Sequence, residues 1–115
     1  MPKWGTDLQL EDGTMPFYTT VRARLKDADP QTAMEAHNAV VARLRPKNEP
    51  LGGVGHRVFA NVQDPQEFLA MDTWETVEGL QQAMGDPDTQ REIGSLFDGP
   101  PDVAIWSPRD GWTAF

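Results

Sequence analysis

Residues 17–25, FYTTVRARL, alternate: Phe17, Thr19, Val21, Ala23 and Leu25 fall on one face, Tyr18, Thr20, Arg22 and Arg24 on the other. Period two in a run rich in β-branched and aromatic residues predicts a strand. The period then lengthens. Ala33, Met34, His37, Val40, Val41 and Leu44 recur at helical spacing, with Asp29 placed as N-cap, Pro30 at the first helical position and Pro46 as the stop. Alternation returns in VGHRVFANV (54–62), where Val54, His56, Val58, Ala60 and Val62 share a face, and again in EFLAMDTW (67–74). The link QDPQ is short and made of turn formers, so these two strands form an antiparallel hairpin. A second helical stretch follows. Thr76 is its expected cap, Val77, Leu80 and Met84 form its stripe, Asp86-Pro87 restarts it, and Ile93, Leu96 and Phe97 continue its apolar side. Gly99 and the Pro100-Pro101 pair end it, and DVAIWS makes a fourth strand.

The order is β-α-β-β-α-β, which predicts an α+β, ferredoxin-like fold: a four-stranded antiparallel sheet with two helices on one face. Residues 1–15 lack sustained periodicity and read as an N-terminal arm, with Trp4 and Leu8 available to dock on the body or on a partner; residues 16–115 read as a single domain. Helices on one face leave the other bare. The strands carry apolar residues on both faces, Phe59 beside Val58 and Met71 beside Ala70. A bare apolar sheet face marks an interface, so a homodimer packed sheet against sheet is expected.

Composition narrows the chemistry. The chain has 115 residues, 38% hydrophobic and 24% charged, which suits one globular domain. No apolar run is long enough to span a bilayer, and the first residues lack the basic-then-apolar order of a signal peptide, so a cytoplasmic protein with no membrane partner is expected. The formal net charge of −8 would repel a phosphate backbone, which argues against nucleic acid as a partner. There is no cysteine, so disulfides and thiolate metal sites are excluded, and with two histidines a three-His zinc site cannot form within one chain. LGGVG (51–55) precedes a strand and lacks the Lys-Ser/Thr of a phosphate-binding loop.

The candidate chemistry therefore centres on His37 and His56. Imidazole exchanges protons near neutral pH and serves as general base or ligand. His37 lies on the apolar stripe of the first helix; Asn38, about 100° further round, does not share its direction. His56 shares a strand face with Val58. If that face meets the helices, the two histidines converge across a pocket, and with Asp72 they would make a two-His-one-carboxylate set of the kind that holds non-haem iron. The alternative is that His56 faces the dimer interface. Asp72 shares its strand face with Phe68, Ala70 and Trp74, and an unpaired charge there would be costly to bury. A cross-strand pair with Arg22, Arg24 or Arg57, or exposure at a strand end, is the expected solution; an acid/base or substrate-anchoring role is the other. Phe68 and the remaining aromatic residues can line a pocket for a flat ligand.

FLAMDTWETVEGLQQAMGDP (68–87) resembles the dimeric α/β-barrel superfamily, and within it the antibiotic-biosynthesis-monooxygenase (ABM-like) domains. The family pattern is a hydrophobic strand, an acid, a Trp and a polar helix start, matched by Asp72, Trp74 and Glu75. Leu80 matches the following helix leucine and Asp86-Pro87 the helix break. The resemblance covers roughly residues 17–107. It implies a dimer with one small pocket per subunit between sheet and helices. It also implies one of three activities: cofactor-free oxygenation of a small aromatic molecule, haem degradation, or none. Oxygenase members use a Trp, an Asn and often a helix-two His or Arg. Trp74 matches the Trp, and Asn61 is the one strand Asn. No His follows His56, so the helix-two position is empty and the chemistry falls to His37 and His56. With Trp74 from the resemblance and the two histidines from the residues themselves, His37, His56 and Trp74 are the expected catalytic residues and Asp72, Asn61 and Phe68 the expected substrate-binding residues. It implies no resident cofactor, with haem or non-haem iron as the alternatives. A non-enzymatic dimeric small-molecule-binding or scaffold module is the alternative function.

Overall fold

The alternating run Phe17–Arg24 forms β1, and in the computed structural model, which describes residues 16–115, it lies inside a four-stranded sheet. The other strands are β2 (Gly53–Ala60), β3 (Glu67–Trp74) and β4 (Asp102–Trp106), in the order β2-β3-β1-β4, with every neighbouring pair antiparallel. The central strands β1 and β3 bury their odd and even residues respectively: Phe17, Thr19 and Val21 on one, Phe68, Ala70 and Trp74 on the other. Register places Phe17 opposite Trp74 and Val21 opposite Ala70, so the buried positions of both strands form one continuous inner face.

The helices are α1 (Pro30–Asn48), α2 (Val77–Met84) and α3 (Pro87–Gly94), and the fold is α+β, as the sequence predicts. Asp29 caps α1 by accepting from the Thr32 backbone N–H at 2.9 Å and its hydroxyl at 2.6 Å, and Thr76 caps α2 by accepting from Gly79 N–H at 3.0 Å. The expected break at Asp86-Pro87 separates two helices: Pro87 has no N–H to continue the ladder, and Asp86 caps the new start. Pro46 does not stop α1. The helix runs on to Asn48 and into a 3-10 turn at Glu49–Leu51, because the next turn supplies its own bond, Glu49 N–H to Arg45 C=O.

The core has two parts. One holds Val40 and Leu44 of α1 against Val21, Phe68, Leu96 and Phe97; the other holds Leu80 and Ala83 of α2 against Phe17 and Trp74. Strand β2 ends at Ala60, two residues before its expected end, because Asn61 turns the chain: its Oδ1 accepts from Gln63 N–H at 2.8 Å. At its start a bulge between Gly53 and Gly55 lifts Val54 out of the ladder and re-aims the strand before His56. The arm at residues 1–15, with Trp4 and Leu8, lies outside the described residues. Among those described, no helix is long and apolar enough to cross a membrane.

Candidate functional site

Three strands place one row of side chains across the inner face. His56 on β2 is opposite Asp72 on β3, and Asp72 is opposite Thr19 on β1. Alternation carries all three toward the helices. His56 Nδ1 lies 2.5 Å from Asp72 Oδ1, and the fully buried Thr19 hydroxyl reaches the other carboxylate oxygen at 3.5 Å. A carboxylate only accepts, so His56 Nδ1 carries a proton and donates it. This corrects the expected Asp–Arg pair. Arg22 and Arg24 lie on the opposite face of β1, where they bind Glu67 at 3.1 Å and Asp64 at 3.0 Å, and neither they nor Arg57 pair with Asp72 among the described residues.

Helix α1 brings His37 over this row. His37 Nε2 lies 2.9 Å from His56 Nε2. The ring planes are within 15° of parallel, and the centroids are 5.1 Å apart, about the N···N distance plus one ring radius at each end. The rings therefore meet tip to tip, nitrogen to nitrogen, rather than face to face. That approach is favourable only with a proton between the two nitrogens, one ring donating and the other accepting. The second ring nitrogen of His37 lies 2.9 Å from Asn38 Oδ1. Asn38 thus curls back to its neighbour, a contact that helical direction alone does not reveal.

His37, His56, Asp72, Phe68 and Trp74 all border one cavity of about 520 Å³ between α1, the sheet and the segment carrying Ile93, Leu96 and Phe97. Its wall is mostly apolar, and Arg45 and Glu49, paired at 3.2 Å, stand at its α1 end. Phe68 lies under the imidazoles, its ring 5.9 Å from that of His37 and 5.1 Å from that of Phe97. Trp74 is buried, and its indole N–H has no partner among the described residues. Five of the six residues singled out from the sequence come together. Asn61 does not: it lies past the end of β2, donates to Glu67 Oε1 at 2.9 Å, and is absent from this cavity.

The donor set does not fit an iron centre of the two-His-one-carboxylate kind. Asp72 meets Nδ1 of His56, while the two Nε2 atoms point at each other, so the three groups do not converge on one point. Among the described residues no three His, Asp or Glu side chains gather to hold a metal ion. Nor does either histidine turn an unengaged Nε2 to the cavity as an axial ligand for haem. What the arrangement can do is acid–base work: an exposed imidazole oriented by a carboxylate, at the edge of a largely apolar cavity.

Fold and site together define a ferredoxin-like α+β domain with a small, largely apolar cavity walled on one side by an imidazole pair. Its fold is that of the antibiotic-biosynthesis-monooxygenase domains. A putative antibiotic biosynthesis monooxygenase from Bordetella bronchiseptica superposes with a TM-score of 0.61 at 20% identity, over 82% of this chain and 97% of that one. The ActVA-Orf6 monooxygenase of Streptomyces coelicolor, in complex with the ligand Nanaomycin D, gives 0.64 at 16% identity, over 86% and 92%. SnoaB, a cofactor-independent oxygenase from Streptomyces nogalater, gives 0.61 at 14%, over 83% and 94%. At these identities the likeness is one of fold. No family model and no curated protein matches the sequence.

Proposed function

We propose that this protein is a cofactor-independent, monooxygenase-like enzyme of the cytoplasm that acts on a small aromatic molecule in the cavity, as a homodimer joined through the outer faces of its sheets. The observation that carries the reading is the hydrogen-bonded imidazole pair set in the wall of an apolar cavity. Structures sharing the fold include a cofactor-independent oxygenase and a monooxygenase in complex with the ligand Nanaomycin D, which supports the same class. Phe68 and Trp74 hold the flat ring by burial, and the imidazole pair removes an acidic proton. The resulting anion is electron-rich enough to react with dioxygen. For oxidation of a ring CH₂ to C=O, one oxygen atom enters the product and the other leaves as water, so the substrate supplies all the electrons.

The test is oxygen uptake with a panel of quinols and anthrone-type phenols. Uptake in proportion to substrate, unchanged by a metal chelator, is the expected result. Ligand binding without uptake would replace the enzyme with a non-enzymatic binding module.

A further inference from the structure

Neither the fold nor the cavity says which imidazole takes the proton, but the carboxylate behind His56 does. We infer that His56, oriented by Asp72, is the base that accepts a proton from an acidic hydroxyl of the ligand, and that His37 stands where that hydroxyl binds and swings aside for it. The inference rests on reading the cavity as a site for a small aromatic molecule.

Asp72 fixes one proton on His56 Nδ1, at 2.5 Å, so neutral His56 has its lone pair on Nε2. That lone pair points at His37 Nε2, 2.9 Å away and tip to tip, and the contact holds only while a proton stands between the two nitrogens. His37 Nε2 thus occupies the position a substrate O–H needs in order to be deprotonated. The arrangement has the logic of a nucleophile–His–carboxylate triad, with His37 in the place of the hydroxyl. The other nitrogen of His37 faces Asn38 Oδ1, which only accepts, so it carries a proton there and has no lone pair to offer a ligand; Asn38 itself is exposed and takes no part in the cavity wall.

His56 is the better anchored of the two. It sits on a strand, opposite a carboxylate that a second strand braces. His37 is a half-buried helical side chain, and its bond to His56 is the only side-chain hydrogen bond joining α1 to β2 among the described residues. Turning it away with the shared proton breaks one hydrogen bond, which the incoming hydroxyl replaces at the same nitrogen of His56. The ligand O–H then breaks, its electron pair stays on oxygen, and the proton forms the second N–H of His56. The ligand passes from neutral to −1 and the His56–Asp72 pair from −1 to neutral. The anion is left beside an imidazolium.

4-Nitrophenol is the probe, because its phenolate absorbs at longer wavelength than its phenol. It is titrated into the full chain at a pH where the free probe is mostly phenol. Wild type is expected to show the phenolate band on binding. His37→Ala is expected to keep the band and to bind with an affinity equal to or up to about tenfold tighter than wild type, since one competing hydrogen bond is gone. His56→Gln and Asp72→Asn are expected to weaken the phenolate form by about tenfold or more, with the neutral phenol still bound. Loss of the band in His37→Ala with its retention in His56→Gln would overturn the inference, as would a probe bound by wild type only as phenol or not bound at all. Nitrogen-15 NMR of the free protein provides a readout that needs no variant: the proton on His56 is expected at Nδ1, and a proton at Nε2 alone would equally overturn it. Oxygen uptake separates the two readings. Phenolate binding without uptake leaves this inference standing and removes the oxygenase; uptake that survives in His56→Gln but not in His37→Ala does the reverse.

Discussion

A carboxylate between Ala70 and Trp74 on the inner face of a central strand has to find a donor, because burying it unpaired is costly. Three arginines on strands were available by composition, yet parity rules out two of them: Arg22 and Arg24 occupy the even positions of β1, which face away from Asp72. The partner is His56, and only register could say so, since a slip of one residue on β2 would turn the imidazole to the other face. Phe68 is a buried part of the cavity wall. It is 5% exposed and packs under His37 and against Phe97. Phe68→Ala is expected to cost about 3–5 kcal/mol, the transfer of a ring plus the void it leaves. Urea denaturation checks this, as a lower midpoint with an unchanged slope. Phe68→Leu should keep most of that stability, and a cost as large as that of the alanine variant would refute the packing argument.

The helices are placed by two contacts of different kinds. Gly79, in the first turn of α2, passes so close to the 3-10 turn that a Cβ there would come within 1.7 Å of the Leu51 carbonyl oxygen. Backbone cannot yield as a side-chain tip does, so Gly79→Ala must push α2 away from Trp74, at an expected cost of about 3 kcal/mol. A thermal melt indistinguishable from wild type would show that the contact is relaxed. Asp86 works electrostatically. It caps α3, receives the Thr89 hydroxyl at 2.9 Å, and binds Lys47 of α1 at 2.6 Å. The Lys47 ammonium first, and then the Thr89 hydroxyl, lower its carboxyl from 3.8 to about 2. The folded value lies below the unfolded one, so this contribution is complete above pH 3.8 and is lost as pH falls through about 2. Asp86→Asn is therefore expected to melt below wild type at neutral pH, with the gap closing between pH 4 and pH 2. A gap independent of pH would show that the cap geometry matters and the charge does not. Both helix starts and the break were readable from Asp, Thr and Pro in sequence; the run of α1 past Pro46 was not, because its last turn is closed by Glu49.

At the scale of the molecule, the outer face of the sheet is exposed where apolar residues are densest. Phe59 is 42% exposed, Met71 38% and Trp106 55%, with the Trp106 indole donating to the Thr20 hydroxyl at 2.8 Å. A pairing of two such faces is expected to give a single species of twice the chain mass by sedimentation at micromolar concentration, and Phe59→Glu with Met71→Glu is expected to give monomers. Wild type sedimenting as a monomer would remove the dimer from the proposal. The sequence by itself determined the element order, the strand parity, the helix caps and the ferredoxin-like class, because those follow from periods of two and 3.6 residues and from local turn and cap chemistry. It also limited the acid–base groups to two histidines. Only the tertiary structure decided that His37, His56 and Asp72 meet and Asn61 does not, and which nitrogen faces which. Those facts depend on cross-strand register, on the bulge before His56 and on where α1 crosses the sheet, and each is fixed by contacts between residues far apart in the chain.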